Sequence, residues 1–239
     1  MNYVWGTGTH VGRIRELNED SVFPPESGRS EGPALVFVAD GMGGAVAGEV
    51  ASRLATEAAS AAPASDPISP EDRVLAGNRA VIEATREDPS LAGMGTTMTL
   101  ALFGADGSAS FAHVGDSRAY LLRDGELRVL TSDHTLVNEL IGLGRITAEE
   151  AKTHPHRHLI TRVLGIGPIA VDTFDVELRD GDRLLFCSDG LTDMVTDLTI
   201  GNMLGAGEGV EPTAWALIEQ ANAAGGLDNT TVVVVDVTA

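Results

Sequence analysis

The chain is 239 residues long, enough to bury one substantial core. Its 35 acidic against 16 basic side chains leave a formal charge of −19, which repels phosphate backbones and argues against any nucleic-acid partner. A single cysteine, Cys187, excludes an internal disulfide and suits a reducing cytoplasm, nothing reads as a secretion signal, and no run approaches the ~20 apolar residues of a membrane segment.

Short apolar or alternating runs bounded by Gly, Asp or Pro predict strands. The first is residues 34–39. Two helices follow, over 45–62 and from Ser69-Pro70-Glu71-Asp72 onward, where Ser69 suits the cap and Pro70 the first turn; residues 63–69 link them. Strands at 96–103 and 108–114 flank Asp106-Gly107, those at 119–123 and 127–130 flank Asp124-Gly125, and those at 171–178 and 183–187 flank Asp180-Gly181. Asp-Gly tolerates the positive φ of tight hairpins, so each pair is expected to run antiparallel. Residues 135–167 carry short helical pieces, Gly142, Gly144 and a His- and Pro-containing stretch; they are expected to cross one edge of the sheets irregularly. A last helix starts near Pro212 and ends at Gly225-Gly226, before a strand at 230–237. Strands mixed with separate helices, without βαβ alternation, predict an α+β class. The expected architecture is two antiparallel sheets packed as a sandwich with helices on both outer faces, a four-layer αββα arrangement in one domain over 1–239.

Asp40, Asp116 and Asp189 each follow a predicted buried strand, whereas Asp20 and Asp228 each precede one. In antiparallel sheets the start of one strand lies beside the end of its neighbour, so the five are expected to converge on one edge. Any one of them alone reads as a turn cap. Together they repel, raise one another's pKa and must either protonate or gather cations, and oxygen ligands favour Mg²⁺ or Mn²⁺ over Zn²⁺. Glycine directly after Asp40 and Asp189 lets the backbone turn sharply and a carbonyl approach an ion.

The motifs themselves carry a resemblance. Arg15-Glu16-Leu17-Asn18-Glu19-Asp20-Ser21, Ala39-Asp40-Gly41-Met42-Gly43-Gly44, Gly95-Thr96-Thr97 and His113-Val114-Gly115-Asp116-Ser117-Arg118 come first. Asp133-His134-Thr135, Ile160-Thr161-Arg162-Val163-Leu164-Gly165, Ser188-Asp189-Gly190-Leu191-Thr192-Asp193 and Asp228-Asn229-Thr230-Thr231 follow. In that order the chain resembles the bacterial metal-dependent serine/threonine protein phosphatases of type 2C. The resemblance implies hydrolysis of phosphoserine and phosphothreonine in proteins by a binuclear Mn²⁺ or Mg²⁺ centre that activates water for direct attack on phosphorus. It implies that Asp40 bridges the two ions, that Asp189 and Asp228 bind one and the Gly41 carbonyl the other, and that Glu19 and Asp20 hold metal-bound waters or support the second ion. Asp116 with Asp189 matches a third, weaker site, in the neighbourhood of Asp193. Arg15 corresponds to the phosphate clamp, which completes a catalytic set of Arg15, Asp40, Asp189 and Asp228. The implied substrates are phosphorylated proteins, a serine/threonine kinase among them, met by a cytoplasmic monomer; residues 140–165 correspond to a flap.

Two features depart from that pattern or lie beside it. Met42 stands where many eukaryotic relatives place a histidine proposed as general acid, so no residue is assigned to protonate the leaving group. Of the histidines, His113 is expected within a strand and His134 as a helix cap, while His154, His156 and His158 read as exposed or substrate-facing rather than as a zinc site. Cys187 lies in a predicted buried strand without basic neighbours and is expected to be core, not a nucleophile. The alternative function is an inactive homologue that binds phosphoproteins, which loss of Asp40, Asp189 or Asp228 would have favoured; all three are present.

Overall fold

The structure is a computed structural model that describes residues 1–43 and 47–239. Gly44 of the Asp40 motif and the first two residues of the helix expected over 45–62 lie outside the described residues. In chain order the elements are β1 (Asn2–His10), β2 (Asp20–Phe23), β3 (Gly28–Ser30), β4 (Ala34–Met42), α1 (Ala47–Ala59), α2 (Pro70–Glu87), β5 (Gly95–Thr96), β6 (Met98–Phe103) and β7 (Ser108–Val114). Then come β8 (Arg118–Arg123), β9 (Glu126–Val129), α3 (Leu136–Gly142), α4 (Ala148–Lys152), β10 (Asp172–Glu177), β11 (Arg183–Cys187), α5 (Asp189–Thr192), α6 (Asp197–Leu204), α7 (Val210–Ala223) and β12 (Thr230–Thr238). Among the described residues no helix is long and apolar enough to cross a membrane.

One sheet runs β3-β1-β12-β11-β8-β9 and the other β10-β7-β6-β4-β2, with β5 paired to β4. The pairings are antiparallel, as expected. Val232 to Val235 of β12 are fully buried, and the continuous apolar run follows from cover on both faces. Val233 and Val235 meet Val36, Phe103, Phe111 and Phe186 between the sheets. Val232 and Val234 turn outward onto Leu191, Ile200, Leu217 and Ile218 of α5, α6 and α7. On the opposite side α1 and α2 bury Ala51, Ala55, Val74 and Val81 against Phe37, Leu100 and Ala112. Each fully buried Val, Leu or Phe stabilises by roughly 1.5–3 kcal/mol, so the layers hold through three separate apolar seams. This is the four-layer αββα sandwich.

Local chemistry sets the boundaries. Ser69 Oγ accepts from the Asp72 N–H at 3.0 Å and Pro70 occupies the first turn of α2, as the sequence implies. Asp124 and Gly125 both have positive φ, 53° and 79°, and close the β8–β9 hairpin. Asp180-Gly181 does not behave as expected: β10 pairs with β7 and β11 with β12 and β8, so this turn carries the chain from one sheet to the other. The reason lies in the flanking runs, since β11 is buried almost throughout and takes a central place, whereas β10 is largely exposed and forms an edge. The strand expected over 96–103 is interrupted at Thr97, and the helix expected over 45–62 stops at Ala59. β1 escapes the strand pattern because Gly6 and Gly8 replace side chains where α7 packs directly on the sheet. A Cβ at Gly6 would overlap the Glu211 backbone, and one at Gly8 would stand 2.7 Å from Ile218 Cδ1.

Candidate active site

Asp20 on β2 and Asp40 on β4 are register partners. Asp116 lies in the turn between β7 and β8, Asp189 opens α5 directly after β11, and Asp228 stands two residues before β12. Because the end of β11 pairs with the start of β12, Asp189 and Asp228 come to the same edge as Asp40. There they line a cleft of about 650 Å³ together with Arg15, Glu19, Gly41 and Asp193. Asp116 opens instead onto an adjoining cavity of about 450 Å³, which shares Asp189 and Asp193 with the cleft. Asp20 lines neither; it sits behind Asp40, and its Oδ2 accepts from Ser188 Oγ at 2.8 Å.

Glycines bring backbone against backbone here. A Cβ on Gly41 would overlap the carbonyl oxygens of Gly48 and Glu19, and one on Gly190 would overlap the Asn229 carbonyl. Asp40 is clasped at its main chain: its N–H donates to Thr97 Oγ1 at 3.0 Å, and its carbonyl accepts from Thr97 N–H at 2.8 Å and Thr96 Oγ1 at 2.9 Å. Asn229 was not singled out from the sequence, although it lies in a quoted motif. It organises the Arg15 segment by accepting from Glu19 N–H at 2.7 Å and donating to the Val11 and Leu17 carbonyls, both at 2.9 Å.

The electrostatics follow from crowding acids. Burial first, then Asp20, Asp189 and Asp116, holds Asp40 well above the usual carboxylate range; burial and then Asp116, Asp193 and Asp228 do the same to Asp189. Burial pushes Asp116 up to about 7 and Asp20 up to about 6, the latter against hydrogen bonds from Thr231 and Ser188. Arg15 Nη2 donates to Asp228 Oδ2 at 2.6 Å, and its Nη1 lies 4.0 Å from Glu19 Oε2.

Cations fit this donor set. Among the described residues, Glu19 Oε1, Asp20 Oδ1 and Asp116 Oδ1 are buried oxygens without a hydrogen-bond partner, each an unspent acceptor. Among the described residues no three His, Cys, Asp or Glu side chains form a closed ligand cage. Carboxylates taken one or two at a time, with a backbone carbonyl and retained waters, are what Mg²⁺ or Mn²⁺ accepts.

Other expectations resolve individually. Cys187 is fully buried and burial pushes its thiol up to about 12, so it is core. His113 lies in β7, and burial, then His134, lowers it to about 4. His134 does not cap the following helix; Thr135 does, its hydroxyl accepting from Asn138 N–H. His158 reaches into the cleft and places Nδ1 3.3 Å from Asp193 Oδ2, with Arg157 beside it on the wall. Met42 is 38% exposed at the cleft rim. The segment over 140–165 carries α3's end and α4, and an isolated bridge joins Thr135 to Ile160 across its base.

The family profile described as Protein phosphatase 2C matches residues 7–225. The serine/threonine protein phosphatase PstP of Mycobacterium tuberculosis is 47% identical over 231 residues, which covers 95% of this chain and 43% of that protein. This chain therefore spans less than half the length of that relative. The serine/threonine phosphatase stp of Listeria welshimeri is 39% identical over 243 residues, covering 95% of this chain and 93% of the relative. A crystal structure of the catalytic domain of serine/threonine protein phosphatase PstP in complex with two manganese ions superposes with a TM-score of 0.87 at 41% identity and covers all of both chains.

Proposed function

This chain belongs to the protein phosphatase 2C family, and from that premise we propose that it hydrolyses phosphoserine and phosphothreonine in proteins, a serine/threonine kinase among them, as a cytoplasmic monomer. The observation that carries the reading is the floor of the cleft. Four mutually repelling carboxylates crowd there, half-buried Asp40 and Asp189 in the cleft with half-buried Asp20 behind them and buried Asp116 in the adjoining cavity, and Arg15 lies on the cleft wall. Such an arrangement is costly to keep unless it holds cations.

Asp40, Asp189 and Asp228 with the Gly41 carbonyl would hold two Mn²⁺ or Mg²⁺ ions, supported by Glu19 and Asp20, and Asp116 with Asp189 a third. When bound, such ions supply Lewis-acid charge on the phosphoryl oxygens and lower the pKa of water enough for direct attack on phosphorus. The chain's own residues do the rest. Arg15 exchanges Asp228 for the phosphomonoester, forking two of its oxygens and orienting phosphorus over the acidic floor. Thr96 and Thr97 keep Asp40 from tilting. The segment over 140–165, as a flap, brings Arg157 and His158 over the substrate. Water takes the place of the serine or threonine oxygen on phosphorus, which releases the alcohol and inorganic phosphate.

The test is release of phosphate from a phosphothreonine peptide with Mn²⁺, with EDTA, and by the Asp189→Ala variant. Turnover that needs Mn²⁺ and is lost in both controls supports the reading. No release with any divalent cation would sink it.

A further inference from the structure

We propose that His134 is a positioning residue that clasps the Asp116 turn to both ends of the flap, and that it thereby sets the cation affinity on the Asp116 side of the cleft. This rests on the reading of Asp116 as a metal ligand.

His134 is 5% exposed, and every polar group it has is engaged. Two hydrogen bonds go to one residue: Gly115 N–H donates to the ring Nδ1 at 3.0 Å, and the His134 N–H donates to the Gly115 carbonyl at 2.7 Å. Gly115 has φ 114°, and a Cβ there would overlap the Thr97 side chain, so the turn tolerates no other residue and little displacement. The next residue is Asp116, which is 7% exposed and whose Oδ1 has no hydrogen-bond partner among the described residues. Without a hydrogen bond to hold it, that oxygen takes its position from the backbone and the packing around it, and His134 holds the adjoining Gly115 backbone.

The ring's second nitrogen faces the other way. A backbone N–H only donates, so Nδ1 is the acceptor and the ring hydrogen lies on Nε2. It donates to Asp172 Oδ2 at 3.1 Å, and Asp172 Oδ1 accepts from Arg162 Nη1 at 2.8 Å. Arg162 Nη1 also lies 3.2 Å from Nε2; two donors cannot bond each other there, so Asp172 is the shared acceptor.

The same residue stitches the flap's ends together. The His134 carbonyl accepts from Thr161 N–H at 2.7 Å, and Leu136 N–H donates to the Leu159 carbonyl at 2.9 Å. One residue upstream, Asp133 takes Arg118 on both its oxygens, at 2.9 and 2.6 Å, just past Asp116 on the other side. Asp133-His134-Thr135 is thus a buckle between the Asp116 turn, the outgoing flap and the returning flap. If the ring served only as filling, an apolar ring of similar size would replace it without effect on cations.

The experiment compares wild type with His134→Phe, His134→Asn and Asp172→Ala. Mn²⁺ binding is read by calorimetry, and cleavage after Arg157 by trypsin is read in metal-free protein. His134→Phe should weaken Mn²⁺ binding at one site by roughly 10–100-fold, the usual consequence of losing a residue that orients a ligand, and should hasten cleavage. His134→Asn, whose Oδ1 can accept from Gly115 N–H, should recover most of the affinity. Asp172 is 47% exposed, so Asp172→Ala remains testable if His134→Phe does not fold; it should shift both readouts in the same direction and by less. Wild-type Mn²⁺ affinity and wild-type cleavage rates in folded His134→Phe, or in Asp172→Ala where the former is lost, overturn the proposal. Should wild type itself bind no Mn²⁺, the ligand reading of Asp116 falls and the proposed cation role of His134 with it, and the cleavage rates alone then decide whether the buckle exists.

Discussion

Consider the protein stripped of divalent cations with EDTA and melted at a series of pH values. Asp116 gives up its proton near pH 7 in the folded chain, against an ordinary 3.8, a rise of about 3. At about 1.4 kcal/mol per pH unit this is about 4 kcal/mol of linkage. The sign follows from which state holds the proton. Between those two values the folded chain keeps it and the unfolded chain does not, so the contribution is complete below pH 4 and gone above about pH 7. Asp20, raised to about 6, acts in the same direction, and the repelling acids titrate as a set. His113 opposes them: lowered to about 4, it contributes stability above its ordinary 6.5 that is lost as pH falls through that range. Since His113 does so with or without cations, the informative quantity is the gap between the Mn²⁺ and EDTA curves. Mn²⁺ at a hundred times its Kd adds about 2.7 kcal/mol, or about 5–10 °C for a domain of this size, at pH 8. Toward pH 5 protons compete for the same oxygens and the gap closes. Scanning calorimetry reads it directly, and a gap that stays constant from pH 5 to 8 would refute the electrostatic account of the cleft.

Three further outcomes are expected. Asp189→Asn removes one of the repelling acids and should stabilise metal-free protein by about 0.5–2 kcal/mol, read as a higher melting point, while abolishing Mn²⁺-dependent hydrolysis. Arg15→Ala should lower kcat/KM for a phosphopeptide by about ten- to a hundredfold through loss of charge-assisted bonds; because Arg15 occupies Asp228 in the free protein, calorimetric Mn²⁺ affinity should be equal or tighter. Cys187 should resist iodoacetamide at pH 8 until the protein is unfolded, checked by mass spectrometry, because burial pushes its thiol up to about 12.

What the sequence made legible depended on how local the signal was. The Asp40, Asp189 and Asp228 placements could be read because each abuts a run apolar enough to be a strand, and antiparallel pairing then leaves them one edge to share. The Asp180-Gly181 turn misled because an Asp-Gly pair fixes only the direction change. Whether the strands on either side pair with each other is decided by burial, and β11 is far more apolar than β10. β1 stayed hidden because its glycines answer to α7, more than two hundred residues away.

The same distinction explains the residues whose roles were missed. Asn229 and His134 belong to motifs that were visible, yet what each does depends on partners such as Leu17 and Gly115, which no spacing rule brings beside them. Ligand carboxylates betray themselves through charge, since several acids at strand ends need an explanation. A side chain that fixes the direction of a ligand is an ordinary buried polar residue until its hydrogen bonds are traced, and its effect on the cleft passes entirely through another residue's backbone. In our proposal that route runs, for Asp116, through Gly115 to His134 and on to the segment over 140–165. The affinity of the Asp116 side is therefore expected to answer to changes at Asp172, which touches none of the candidate metal ligands.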